Sequence, residues 1–191
     1  MNKISTIVGL AVAASTMTAS ADVLLEIDLS VVDQITVNAT SGLSSASVSG
    51  ADVVGVLMAG FYNTAAPGIT RTYLSGDLVS AGSTADGSPG LFNSSFGSSY
   101  GLNFYSWATE STVDFTAGSV AFTGSATWSL SAASYADALA GNLGGEIYAF
   151  ADSDEDIAAG ATNIGQWRVV PAPSSMALLG LGGIVAGRRR R

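Results

Sequence analysis

The sequence predicts an all-β protein, with a single antiparallel β-sandwich or jelly-roll-like domain and one short helix. Three observations predict it. Apolar and polar residues alternate with a period of two along most segments, as in strands that have one solvated face. Clusters of Gly, Ser, Asp and Pro separate these segments at short intervals. No fixed-period repeat is present, which argues against a solenoid or a propeller.

The first 21 residues have the three-part layout of a secretory signal peptide. Met1 to Lys3 form a short cationic start, an apolar stretch follows, and Ala19-Ser20-Ala21 is an A-x-A cleavage site. We expect signal peptidase to cut after Ala21, so that the mature chain begins at Asp22. The predicted organisation is a signal peptide at 1–21, a β-sandwich domain at 22–169 and a C-terminal segment at 170–191.

The strand predictions follow the chain in order. Between Leu25 and Ala39 the odd positions are mostly apolar and the even positions mostly polar. The segment from Val53 to Phe61 is apolar on both faces, which is typical of a central strand. In "SVAFTGSATWSLS" one face carries the larger apolar residues: Val120, Phe122, Ala126, Trp128 and Leu130. Further strands are predicted in "ITRTYL", "YGLNFYSW", "STVDFT", "GEIYAF" and "IGQWRVV".

Two segments depart from the alternation. Residues from Ala133 to Leu139 place apolar side chains at helical spacing, and Gly141 follows, so we expect one short helix there. The stretch from Ser80 to Gly90 is rich in Gly and Ser and is predicted to be a loop.

Composition restricts the possible functions. All fifteen acidic residues lie between Asp22 and Asp156, and only Arg71 and Arg168 oppose them once both terminal segments are removed, so the net charge becomes −13. A surface this acidic repels phosphate, which excludes nucleic-acid binding. The chain has no cysteine and no histidine. It therefore folds without disulfides and cannot use Ser-His-Asp, Cys-His or imidazole-metal chemistry.

The C-terminal segment combines a proline pair, a short apolar run and four arginines. Pro171 and Pro173 precede the run from Met176 to Gly187, whose 12 residues fall short of the roughly 20 that a transmembrane helix needs. The four arginines that follow, Arg188, Arg189, Arg190 and Arg191, would stay on the cytoplasmic side. The segment is therefore expected to insert transiently rather than to anchor the protein permanently.

This order of elements resembles the PEP-CTERM sorting signal, over about the last 22 residues, although Pro-Ala-Pro stands where Pro-Glu-Pro is usual. The resemblance implies an exosortase-like membrane protease as partner, cleavage near Pro171 and Pro173, and association with exopolysaccharide or biofilm. Retention of the tail as an ordinary membrane anchor is the alternative. A similar tail is also described as an ice-binding protein C-terminal domain, but its residues give no physical reason to expect ice binding.

Aromatic and acidic residues supply the remaining candidates for chemistry. Tyr100, Phe104, Tyr105 and Trp107 cluster in one segment, and Trp128 and Trp167 lie on other predicted strands. If exposed, these rings would stack on sugars as in a carbohydrate-binding module, although alternating aromatics more often fill a core. A glycosidase would need two carboxylates at a defined separation. The glutamates Glu26, Glu110, Glu146 and Glu155 form no recognisable motif of that kind.

The segment "DSDED" carries the one metal-site candidate. Asp152, Asp154 and Asp156 follow the one-three-five spacing of calcium loops, but Ile157 and Asn163 stand where an EF-hand needs Gly and Glu. A solvated acidic hairpin loop is the simpler interpretation, and a weak calcium site is the alternative.

From these observations we expect a non-catalytic, exported protein of the bacterial envelope, cell surface or extracellular matrix. A carbohydrate-binding module is the second candidate function and a carboxylate-dependent glycosidase the third. No cofactor is expected, apart from the weak calcium site.

Overall fold

A computed structural model describes residues 22–50, 55–64, 68–83, 89–93, 100–105 and 112–170. In these ranges the chain forms many short strands and two short helices, so the predicted all-β class is confirmed. The strands are β1 Val23–Asp28, β2 Gln34–Ala39, β3 Val48–Gly50, β4 Val56–Met58, β5 Arg71–Gly76, β6 Val79–Ser80, β7 Gly90–Phe92, β8 Leu102–Tyr105, β9 Val113–Phe115, β10 Phe122–Thr123, β11 Ser125–Leu130, β12 Gly144–Ala149 and β13 Thr162–Val170. The helices are α1 Ala132–Leu139 and α2 Asp154–Ala158.

Nine strands form one large sheet in the order β5-β11-β2-β1-β13-β12-β4-β8-β7. Its two edge strands, β5 and β7, lie close to each other: the Arg71 Nε of β5 donates a hydrogen bond to the Leu91 carbonyl of β7. Beside them the Trp128 indole N–H donates to the Pro89 carbonyl over 3.2 Å. The sheet is therefore nearly closed. Two small antiparallel pairs, β10 with β6 and β3 with β9, complete the fold.

The centre of the large sheet contains a parallel pair. β1 pairs antiparallel with β2 on one side and parallel with β13 on the other, with Asp28 opposite Val170. The predicted antiparallel pairing therefore fails at this pair, while the other strand pairs of the described residues are antiparallel. Alternation shows which face of a strand is buried, but it carries no information about the direction of the neighbouring strand.

The alternating segments bury the faces that the sequence predicts. Leu25 and Ile27 of β1 and Ile35 and Val37 of β2 are fully buried and belong to the hydrophobic core. The predicted central strand is β4, whose three residues are all buried between β12 and β8. These buried faces form one apolar cluster, which a domain of this size needs for stability.

The "SVAFTGSATWSLS" segment forms two strands where one was predicted. Gly124 separates β10 from β11 and adopts a φ of 80°, so the chain turns from the small β6–β10 pair into the large sheet. Phe122, Ala126 and Trp128 are buried as predicted, whereas Val120 is substantially exposed.

The helices differ from the prediction in number and in the buried face. α1 begins after Ser131, whose side chain accepts a hydrogen bond from the Ser134 N–H, and it buries Ser134 and Ala138 while Leu139 is exposed. α2 is the second helix, and it occupies the acidic segment that was predicted to be a loop. Acidic residues in the first turn favour such a helix, because they complement the partial positive charge at its N-terminus.

Several predicted features lie outside the described residues. They are the signal peptide with Ala19 and Ala21, the tail from Pro171 to Arg191, and the candidates Trp107 and Glu110. Within the ranges given above, neither helix has the length and apolar character that crossing a bilayer requires.

Candidate functional site

The acidic turn, residues Asp152 to Asp156, folds back on itself. An oxygen of the Asp156 carboxylate accepts a hydrogen bond from the Asp152 backbone N–H at 2.9 Å. The Asp154 carboxylate instead accepts from the Tyr100 backbone N–H at 3.1 Å, which fastens the turn to the start of the β8 segment. Ser153 between them is buried. Of the three candidate ligands, Asp152 and Asp156 are therefore hydrogen-bonded to each other, whereas Asp154 is hydrogen-bonded to Tyr100.

Two carboxyl groups of the acidic turn differ in their affinity for protons. Burial raises the pKa of the Asp152 carboxyl, and its hydrogen bond to Asp156 and the charge of Asp156 add to that shift. The hydrogen bond from the Asp152 backbone N–H lowers the pKa of Asp156. On acidification, Asp152 consequently takes up a proton before Asp156 does.

The same turn adjoins a buried amide. Asn103 is fully buried, and its Nδ2 donates to the Ala151 carbonyl over 2.9 Å. Its Oδ1 has no hydrogen-bond partner among the described residues. Within that part of the chain, no group of three or more Asp or Glu side chains is placed to hold a metal ion. Asp154 and Asp156 each already accept a backbone hydrogen bond on one carboxylate oxygen, and the weak calcium site stays a prediction.

The aromatic candidates divide between core and surface. Trp128, Trp167 and Phe104 are buried, so their rings contribute to the core and present no surface to a sugar. The Trp167 indole N–H donates to the Ala59 carbonyl at 3.1 Å, and its ring centroid lies 5.3 Å from that of Phe61. Tyr100 is 39% exposed. The Tyr105 side chain and all of Trp107 lie outside what the structure describes.

The glutamates that the structure describes make local contacts. Glu26 on β1 accepts a 2.9 Å hydrogen bond from Arg168 Nε on β13 and forms an exposed ion pair with that guanidinium. Glu146 on β12 accepts a hydrogen bond from the Tyr148 hydroxyl, which raises the pKa of Tyr148. Glu155 lies in α2.

A groove runs beside the β3–β9 pair. It is an open surface groove with a volume of about 420 Å³, and it is lined by Ser47, Val48, Ser49, Asp114, Phe115 and Thr116. Ser49 and Asp114 are direct cross-strand partners, as are Val48 and the largely buried Phe115. Sequence analysis missed this groove, because its lining comes from two short strands about 65 positions apart whose pairing no local pattern reveals.

The last described strand leads out of the domain. β13 ends at Val170, and the Val169 N–H donates to the Leu143 carbonyl at 2.8 Å. Pro171 follows, and proline has no N–H with which to continue a strand ladder. The residue before a proline also favours extended backbone, as Val170 has here. The large sheet therefore extends to the first residue of the predicted C-terminal segment at 170–191.

Comparison with protein families decides the nature of this segment. Residues 169–191 match the model of the PEP-CTERM protein-sorting motif. The chain carries a PEP-CTERM motif. The resemblance predicted from Pro171, Pro173 and the terminal arginines is confirmed, and the match begins inside β13. Neither the curated proteins nor the solved structures gave a match to this chain.

The PEP-CTERM motif defines how the protein is handled. It marks an exported protein that is sorted at the cell envelope and processed by an exosortase-type membrane protein. Asp22, the predicted mature N-terminus, is hydrogen-bonded to the rest of the domain. Its carbonyl accepts a hydrogen bond from the Gln166 N–H and its carboxylate accepts one from the Leu43 N–H, both at 2.9 Å. A mature chain that begins at Asp22 therefore keeps these contacts and is compatible with that route. The cleavage before Asp22 stays a prediction.

Proposed function

We propose that this protein is a non-catalytic structural component of the cell surface or extracellular matrix, delivered by exosortase-dependent sorting and associated there with exopolysaccharide. The observation that carries the proposal is the continuity of the sorting motif with β13, a central strand of the sheet. The β domain is thereby the direct cargo of the motif.

The interior and the surface of the cargo support a structural role. Its core is filled by aliphatic and aromatic side chains that make one continuous cluster. Between Asp22 and Val170 only two basic residues, Arg71 and Arg168, oppose fifteen acidic residues. The surface charge is therefore strongly negative, which keeps the protein soluble at the high concentrations of a matrix.

Deletion of the host's exosortase tests the proposal. In the parent strain we expect the protein in the matrix fraction, without its terminal arginines. In the deletion strain we expect it in the membrane fraction with the tail intact. The protein should also be lost from the matrix when the exopolysaccharide is removed enzymatically. Unchanged fractionation in both experiments would contradict the proposal.

A carbohydrate-binding module is the second candidate, and the β3–β9 groove favours it. Hydroxyls of Ser47, Ser49 and Thr116 and the Asp114 carboxylate suit a hydroxyl-rich ligand, and Phe115 is among the apolar lining residues. A glycan array would detect selective binding, which Asp114→Ala should abolish if the groove is the site. Tyr100→Ala provides the control for an aromatic elsewhere on the surface.

The third candidate, a glycosidase, makes a different prediction. It requires turnover of a polysaccharide that stops when one carboxylate is neutralised. Reducing-sugar release measured with purified protein and host exopolysaccharide separates this candidate from the other two, since neither of them consumes its ligand.

A further inference from the structure

One end of the large sheet, here called the exit end, is where β13 finishes at Val170. The parallel pairing places Asp28 there too, opposite Val170, while Val23 and the predicted N-terminus lie at the other end. Five strand steps of about 3.3 Å each separate the two ends by roughly 17 Å. The helix α1 lies across the exit end, because the Tyr135 hydroxyl donates to the Leu29 carbonyl at 2.7 Å.

Exposed apolar side chains concentrate at the exit end. The described part of the chain exposes eight large apolar side chains: Val31, Val32, Leu43, Leu74, Tyr100, Val120, Leu139 and Leu143. Four of them belong to the exit end, and we call them the exit rim: Val31, Val32, Leu139 and Leu143. Val32 and Leu143 are the most exposed of all eight, at 72% and 75%.

Chain position and backbone hydrogen bonds place the exit rim at that end of the sheet. Val31 and Val32 form the turn between β1 and β2, directly beyond Asp28. Leu143 precedes β12, and its carbonyl accepts the Val169 N–H one residue before the chain leaves the domain. Leu139 ends α1, just before Asn142 bonds to the Phe61 carbonyl. Half of the large apolar side chains exposed in the described part of the chain therefore lie at the end where the chain leaves the domain.

The length of the connection to the apolar run limits how far this end can be from a bilayer. Five residues, 171–175, separate Val170 from Met176, where the apolar run of the sorting motif begins. A fully extended chain covers at most about 22 Å over these six steps. When the run enters a membrane, the exit rim is therefore held close to the headgroup layer, at a high effective concentration.

We propose that the exit rim is a membrane-docking surface, which seats the β domain on the lipid headgroups while its C-terminal segment is inserted. The inference rests on the proposed sorting function. Apolar side chains gain free energy by entering the boundary between headgroups and acyl chains. Asp28, Asp33 and Asp137 also lie at this end and repel anionic lipid, so the surface fits a zwitterionic layer such as phosphatidylcholine.

Because the chain has no cysteine, single labels test this docking cleanly. The tail-bearing protein would carry Val32→Cys or Leu143→Cys with an environment-sensitive fluorophore, and Val120→Cys, at the other end of the sheet, is the matched control. In phosphatidylcholine vesicles with spin-labelled headgroups, we expect a blue shift and quenching at positions 32 and 143, and neither at position 120. Substituting the rest of the rim, Val31→Ser with Leu139→Ser, should reduce the quenching, while Leu74→Ser leaves it unchanged.

The outcomes separate the docking surface from the sorting function. Protease protection of the tail reports insertion independently. If the tail inserts and both rim labels stay in water, docking is overturned and sorting stands. If the tail never enters the vesicles, both ideas fail. Rim labels already shielded before vesicles are added would mean that the tail or a second copy covers the rim, which also overturns lipid docking.

Discussion

Substitution of Trp167 distinguishes an aromatic that builds the core from one that binds sugar. Trp167 lies on β13, the strand that continues into the sorting motif, and only 1% of its surface is exposed. The variant Trp167→Phe keeps an aromatic ring next to Phe61 but removes the N–H that donates to the Ala59 carbonyl.

The size of the effect follows from these contacts. Leaving the Ala59 carbonyl without this donor costs about 1–3 kcal/mol in the free energy of unfolding. Trp167→Ala also empties most of the ring volume, and such truncations cost about 3–5 kcal/mol. For a domain of 150 residues or more, each kcal/mol lowers Tm by about 2–4 °C. Trp167→Phe should therefore lower Tm by about 2–12 °C, and Trp167→Ala by more.

Urea unfolding followed by circular dichroism, combined with a glycan array, provides the assay. Tyr100→Ala is the control: its ring is partly exposed, so we expect a change within about 0.5 kcal/mol. Our reasoning would be refuted if Trp167→Phe unfolded at the same urea concentration as the parent and lost binding to a glycan. That result would mean that the indole faces a ligand.

Four further predictions follow from particular residues. Gly124→Ala should destabilise the protein more than Gly118→Ala in urea unfolding. Both glycines have φ near 80°, a conformation that costs other residues about 1–2 kcal/mol. Only at Gly124 would the added Cβ also clash, because it would lie 2.5 Å from Asp77 Oδ1. The pKa of the Asp152 carboxyl is raised in the folded protein, so its protonated form stabilises the fold at low pH and this stabilisation is lost as pH rises through that pKa. Because Asn cannot lose a proton in this way, the Tm of Asp152→Asn should rise relative to the Tm of the parent between pH 4 and pH 7. A difference in Tm that does not change with pH would contradict this. Millimolar calcium should raise Tm relative to a chelator only if the acidic turn binds the ion, and neutralising its three candidate ligands should then remove the shift. Replacing the four terminal arginines with Ser should prevent C-terminal processing in mass spectra of the exported protein, since the cytoplasmic stop is lost; normal processing would show that they are dispensable.

The sequence predicts the parts of the fold that depend on the pattern of neighbouring residues along the chain. Period-two alternation located β1, β2 and β11 and the faces they bury, because burial of one sheet face selects apolar residues at every second position. The continuous apolar run located β4 in the sheet interior. The sorting motif was recognisable because its order of elements is itself linear in the chain.

The parts that escaped prediction depend on contacts between distant residues. The parallel β1–β13 pair joins segments about 140 positions apart, and the contact between Arg71 and the Leu91 carbonyl that nearly closes the sheet has no local signature. The helix α2 did leave a signal, since Ser153 precedes three acidic residues and Gly160 follows its end with a φ of 103°. The sequence prediction was nevertheless a loop, because Asp152, Asp154 and Asp156 have the spacing of a calcium-binding loop.

The placement of β1 and β13 explains how processing at both ends is compatible with a stable fold. These two strands are neighbours in the middle of the sheet, yet because they are parallel, their free ends lie at opposite ends of it. A cut before Asp22 and a cut beyond Val170 both leave the described β1–β13 ladder, Val23 to Asp28 against Gln166 to Val170, complete. Pro171 sets the second boundary chemically, because it cannot donate to a neighbouring strand. If the tail enters a membrane as we propose, the same arrangement directs the predicted N-terminus away from that membrane.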